Sequence, residues 1–238
     1  MSTVFRYGEE LYEADTCEPL RMAVEKGELE LTALARGDYP GTTMPNSWLP
    51  GVRTIGYWDA PRQQSWGLDW HRNEGIEFTY LAGGSTPFSA DGIEYDLGKN
   101  HLTITRPWQS HRVGDPNVAA SRLHWLILDV GVRRPNQVWR WPDWLVLSSE
   151  DVRRLTQLLQ LNEHPVWFAN DSVGATFEAI AEVVSNPTAS TRQSRLQLLV
   201  NNLLVDILEL LETQWVPLDI EPDVNKAKRA AVSQRLAR

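Results

Sequence analysis

Hydrophobic and polar positions along this chain follow two rhythms, and the change between them divides the sequence. From Arg53 onward, short runs alternate apolar and polar residues, the period-two pattern of strands with one buried face. RTIGYWD, SWGLDWH, GIEFTYLAG, TPFSADG, IEYDLG, HLTITRP, SHRVG and SRLHWLILDVG give about eight strand candidates at roughly ten-residue intervals, the spacing of a sandwich or barrel. Gly83-Gly84, Asp91-Gly92 and Gly98-Lys99-Asn100 fall between runs, where turns with φ > 0 are expected.

Upstream, one short element is expected over Arg21 to Ala35. It is followed by DYPGTTMPNSWLPG, whose prolines and glycines predict a loop that wraps over the rest. After Gly131 the rhythm becomes helical. VWRWPDWLVL connects to a helix capped by Ser148 or Ser149 and running over Val152 to Leu161, with Glu150 and Asp151 at its positive end. Asp171 or Ser172 opens a second helix through Val184, stopped at Asn186-Pro187; a third spans Thr188 to Gln214. In that third helix Leu196, Val200, Leu203, Ile207 and Leu210 recur at spacings of three and four, and Leu199, Leu204, Leu208 and Leu211 widen the stripe. Either the helix packs only on its own barrel and the other helices, or one face is left for a second copy, making the chain a homodimer through 188–214. The expected organisation is a wrapping segment over 1–52, a β-barrel over 53–132, a helical segment over 133–214 and a basic tail over 215–238.

Composition narrows the function. The chain is 42% hydrophobic, enough for a substantial core, and has no uninterrupted apolar stretch of membrane-spanning length. The N-terminus has no secretory pattern, and the single Cys17 excludes an internal disulfide framework, so a reduced, cytoplasmic setting is expected. The net charge of −8 disfavours binding driven by phosphate contacts, so no direct DNA binding is expected. Tryptophan occurs 11 times, several-fold above usual composition, and large aromatics both fill cores and line small-molecule pockets.

The candidate chemistry lies in WHRNEGIEFTYLAGG and YDLGKNHLTITRPWQSHRVG. Strand alternation puts Glu77 and Thr79 on one face with Leu81, and Ile76, Phe78 and Tyr80 on the other. A carboxylate facing a barrel interior needs a cation or strong donors. Two imidazoles with one carboxylate make a ligand set of the kind that holds Fe, Mn, Ni or Zn with open positions. Asn73 either completes such a site weakly through its amide oxygen or marks a pocket without metal. Glu77 has alternative partners in Arg72, Arg106 and Arg112, and His111 in backbone. Trp70, Trp108 and Trp125 flank these residues, and either stack on a sugar or other planar ligand or simply pack.

These motifs resemble those of the cupin superfamily, with His71, Glu77, Gly98, Pro107 and His111 at family positions and Asn73 in place of the second histidine. The resemblance implies a mainly β fold with α, a cupin-type double-stranded β-helix (jelly-roll barrel) followed by a C-terminal helical segment. NEGIEFTYLAGG, DLGKNHLTITRPWQSHRVG, SRLHWLILDVGVRRPNQVWRWPDWLVLS and NEHPVW resemble, further, the N-terminal sensor domain of AraC-type transcriptional regulators, over about Arg53 to Gln214. That implies a non-enzymatic, dimerising domain whose pocket binds a small-molecule effector, carbohydrate among the candidates. The helix-turn-helix region of such regulators is not expected within this chain, which ends at Arg238. The competing expectation is a metal-dependent cupin enzyme of dioxygenase or isomerase type, using His71, Glu77 and His111.

Overall fold

The structure is a computed structural model and describes residues 4–15, 17–134 and 137–214. The basic tail expected over 215–238 lies outside the described residues. A hairpin of β1 (Val4–Tyr7) and β2 (Glu10–Glu13) leads into helix α1 (Glu18–Glu25). Ten strands follow: β3 (Glu30–Ala35), β4 (Thr42–Thr43), β5 (Val52–Ala60), β6 (Leu68–His71), β7 (Ile76–Ala90), β8 (Ile93–Gly98), β9 (His101–Thr105), β10 (His111–Val113), β11 (Ser121–Leu128) and, after helix α2 (Ser149–Leu161), β12 (Val166–Phe168). Helices α3 (Asp171–Ser185) and α4 (Arg192–Gln214) complete the order.

One face of the barrel runs β12-β9-β7-β11-β5-β3-β4; the other is built from β8, β7, β10 and β6. All pairings are antiparallel except β3 with β4. Strand β7 belongs to both faces. Its first part pairs with β9 and β11, and its second with β8 and β10. The turn expected at Gly83-Gly84 is therefore absent. The chain instead kinks there and continues, with a register shift at Arg122/Leu123 on the partner strand. Gly84 has φ +76°, and a Cβ on it would lie 2.0 Å from the Ala120 carbonyl oxygen. A glycine inside a strand pattern here marks a barrel corner rather than a turn.

The barrel also begins earlier than the expected boundary at 53. β3 pairs with β5 from Glu30↔Asp59 to Ala35↔Thr54, and its last three residues are all buried, so part of the wrapping segment is a strand of the sheet. Likewise the segment over 133–214 is not wholly helical, because β12 adds to the free edge of β9. The helix boundaries follow from local chemistry. The Ser148 hydroxyl accepts from the Asp151 amide at 3.1 Å, and Asn170, one residue before the expected start, caps α3 by accepting from Val173 N at 3.0 Å.

Two cores result. Inside the barrel, Trp58, Leu81, Phe88, Leu123, Trp125 and Ile127 pack together and are covered by Leu20 and Ala23 of α1. On the outer face of the larger sheet, Ile76, Phe78 and Tyr80 pack against Phe177 of α3 and Leu203 and Ile207 of α4. The broad apolar stripe of α4 serves this second core: Ile207 and Leu211 are fully buried within the protomer, which leaves Leu198 and Val205 exposed on the outer side. Among the described residues no helix is long and apolar enough to cross a membrane.

Candidate functional site

β6 ends on His71 and β10 begins on His111, and the two residues are directly opposed in the antiparallel register. Their rings lie 4.2 Å apart. Glu77, the second residue of β7 on the other face of the barrel, points inward and places Oε2 2.9 Å from His111 Nε2. One ligand atom from each of His71, Glu77 and His111 lies within 4.8 Å of the others.

The outer nitrogens of both imidazoles are tied to backbone. His71 Nδ1 lies 2.7 Å from the Asp69 carbonyl oxygen and His111 Nδ1 3.0 Å from that of Gln109. A carbonyl can only accept, so both Nδ1 atoms carry protons. On His111 the other nitrogen, Nε2, meets a carboxylate. A neutral ring would oppose two lone pairs there, so His111 holds a second proton or shares Glu77 with a cation. The electrostatics agree. Burial acts to lower the His111 pKa, but the hydrogen bond and charge of Glu77 outweigh it and raise it. For Glu77 burial acts upward, and the bond and charge of His111, with His71, hold its carboxyl below the usual range. His71 is pushed down to about 4, by burial and then by the charge of His111.

This donor set fits a divalent metal of the Fe, Mn, Ni or Zn class. Two Nδ1-anchored imidazoles present Nε2 beside one carboxylate, and such backbone anchoring is the usual outer support of metal-bound histidine. Asn73 serves the carboxylate. Its Nδ2 donates to Glu77 Oε2 at 2.7 Å, and Thr79 Oγ1 donates to Oε1 at 3.2 Å. Its amide oxygen, the atom that in one of the two expected alternatives would complete a site, accepts from the Tyr39 hydroxyl at 3.1 Å. None of the three candidate arginines pairs with Glu77. Arg112 pairs with Glu94 and Asp115, Arg72 lies over the Tyr12 ring, and Arg106 donates to the Gln160 carbonyl.

The interior cavity beside the cluster measures about 40 Å³ and is lined by Tyr39, Trp58, His71, Glu77, Thr79 and Trp125 among others. That is room for an ion with a water or two, far below the few hundred Å³ of a typical small-molecule pocket. Of the expected site residues, His71, Asn73, Glu77, Thr79, His111 and Trp125 are thus brought together. Trp125 donates from its indole to Thr54 Oγ1 at 3.1 Å. Trp70 and Trp108 are not among them. Trp70 is exposed outside the barrel beneath the Arg112 guanidinium, because its strand phase is opposite to that of the interior residues. Trp108 is buried against Tyr12 and donates to the Val132 carbonyl at 2.8 Å, anchoring the N-terminal hairpin.

Two residues of the site were not legible in sequence. Glu74, inside the Asn73-Glu74-Gly75 loop, has the character of a solvated turn residue, yet it is fully buried and paired with Arg53. Tyr39, from the proline-rich run, donates to Glu74 Oε2 at 2.6 Å.

No family model matches the chain, and no curated protein matches it in sequence. Solved structures do superpose on it. The AraC-like transcriptional activator CuxR aligns over 87% of this chain and 67% of its own, at 10% identity and a TM-score of 0.45. ToxT from Vibrio cholerae aligns over 80% and 67%, at 8% identity and a TM-score of 0.40. A cupin 2 conserved barrel domain protein from Leptotrichia buccalis aligns over 44% of this chain and only 42% of its own length, at 12% identity and a TM-score of 0.33. The fold rests on the strand order itself. Two antiparallel faces closed on each other through one shared strand make a cupin-like barrel, mainly β with C-terminal helices.

Proposed function

We propose that this chain is the sensing and dimerising domain of an AraC-type regulator, whose barrel binds a small ligand at His71, Glu77 and His111, with a divalent metal ion as the occupant that best fits the space. The observation that carries this reading is the double use of β7. Glu77 and Thr79 face the cluster, while Ile76, Phe78 and Tyr80 on the alternate positions pack against α3 and α4. A change at the cluster therefore reaches the helices through one strand, provided the ligand binds one arrangement of that strand better than another. The exposed Leu198 and Val205 on α4 are where a second copy would sit. A sugar in the interior, one of the effectors expected from sequence, needs more room than the cavity offers.

A metal-dependent cupin enzyme is the second reading, favoured by the donor set alone. A bound metal would supply open coordination positions for a substrate or O₂. The cavity beside the cluster, about 40 Å³, weighs against it, since it offers no substrate-sized space.

The test is cobalt(II) titration followed by visible absorption, with sedimentation of the free and loaded protein. Stoichiometric binding that shifts the monomer–dimer equilibrium supports the sensor. Binding without any change in assembly or in exchange of the α4 amides argues for the enzyme. No binding to wild type removes the metal from the reading.

A further inference from the structure

A groove of about 740 Å³ lies outside the barrel, between α1, the β3–β4 loop and the junction of α3 with α4. It has the size of a small-molecule site, and none of the residues of the His71–Glu77–His111 cluster lines it. Its apolar surface comes from Val24 of α1, Pro40 of the loop and Val184 of α3, and Thr32 of β3 also lines it. Four charged side chains border this space, and one of them is buried. Arg192, the first residue of α4, is only 8% exposed.

The protein uses only part of the Arg192 guanidinium. Nε donates to the Val183 carbonyl at 3.1 Å and Nη2 to that of Val184. Both carbonyls belong to the last turn of α3, whose negative end explains why a cation sits there. An arginine fork carries five N–H groups, and these bonds leave Nη1 with no acceptor among the described residues. No carboxylate pairs with it among those residues; burial alone acts on its charge, and lowers its pKa. A buried guanidinium with donors to spare lacks a counter-ion. The other charges of the groove are already solvated or paired. Arg21 lies 3.5 Å from Glu18, and Glu25 and Asp38 are exposed, so water and salt screen them. The groove is therefore amphipathic, with its buried charge positive and its acidic groups in solvent.

We propose that this groove is a binding site for an amphipathic organic anion, whose oxyanion head lies against the Arg192 guanidinium and whose apolar body packs on Val24, Pro40 and Val184. A head group with two oxygens matches the unused side of the fork, and a charge-assisted bond there gains strength from the burial of Arg192. The site goes beyond the metal cluster and does not depend on it. Its residues come from α1, β3, α3 and α4, so a bound anion joins the barrel to the helix that exposes Leu198 and Val205.

The experiment separates the charge from the apolar body. The probe is 8-anilinonaphthalene-1-sulfonate, which carries both, compared with N-phenyl-1-naphthylamine, the same fluorophore without the sulfonate. In fluorescence titrations the full chain should bind the sulfonate about tenfold more tightly than the uncharged amine. Arg192→Gln should bring the two affinities within about twofold, and Arg192→Lys should restore about threefold of the preference. Thr32→Trp, which fills the groove and leaves Arg192 in place, should weaken both probes by about tenfold or more. Circular dichroism and urea unfolding show whether each variant is folded; if Arg192→Gln is not, the wild-type preference and Thr32→Trp decide. No binding of either probe, equal affinities in wild type, or a preference that survives in folded Arg192→Gln would overturn the proposal. So would unaltered binding in Thr32→Trp, which puts the dye on another surface.

Discussion

His111 Nε2 lies 2.9 Å from Glu77 Oε2 while its Nδ1 is committed to the Gln109 carbonyl. This pair defines the charge state of the barrel interior. Two strands from opposite faces meet there, and the second proton on the imidazolium stands where a cation would bind. Displacing it couples ligand binding to proton release, so the affinity for a divalent ion should fall as pH drops.

Glu77→Gln removes the charge and keeps the shape. Cobalt(II) affinity should drop by at least 100-fold, because the only carboxylate of the cluster is gone. Asn73→Ala should cost less, about tenfold, since it orients the carboxylate without replacing it. Equal losses for the two would contradict the division of roles.

Acid stability should reveal a different histidine. His124 is buried beneath α3 between Tyr57, Tyr80 and Phe177, and is pushed down to about 4, chiefly by burial, with Arg122 adding to this and Glu178 opposing it. The unfolded chain takes up a proton near 6.5 that folded His124 refuses, so stability is full above 6.5 and declines as pH falls towards 4. Complete expression of that shift corresponds to about 3 kcal/mol. His71 acts in the same sense. His111 has the opposite sign: its raised pKa contributes stability below 6.5 that is lost as pH rises through the folded value. Urea unfolding between pH 7.5 and 4.5 should therefore slope less steeply for His124→Gln than for wild type, and parallel curves would refute the assignment.

The helix pair offers a contrast in position. Leu198→Asp with Val205→Asp should yield a folded monomer by sedimentation and circular dichroism, because both side chains are exposed on α4. Ile207→Asp should instead unfold the protomer, as it buries an unpaired charge in the helix-side core. A wild type that is monomeric at micromolar concentration would exclude the dimer.

Gly84→Ala tests the barrel corner. The added Cβ would approach the Ala120 carbonyl oxygen to 2.0 Å at a positive φ, so a loss of about 2–4 kcal/mol is expected in urea unfolding. Gly83→Ala, with nothing near its Cβ, should cost under about 1 kcal/mol.

Much of the architecture was written in local chemistry. Alternation along Ile76–Leu81 assigned Glu77 to the interior and Phe78 to the helix side, and Ser148 marked the start of α2. The glycine pair at 83–84 misled, because a corner and a turn require the same residue. The strand Glu30–Ala35 was hidden because its charged and threonine-bearing alternation is weak next to the proline-rich loop that follows.

Periodicity decides which face a side chain takes, and capping decides where a helix begins, since both depend on neighbours a few residues away. Neither says which strand lies opposite. That His71 stands across from His111, that Asn73 donates to Glu77, and that Trp108 packs its ring against Tyr12 are consequences of register and sheet closure. The role of Tyr39 is the extreme case. It meets Asn73 and Glu74 from more than thirty residues away, and only the folded barrel brings its hydroxyl to them.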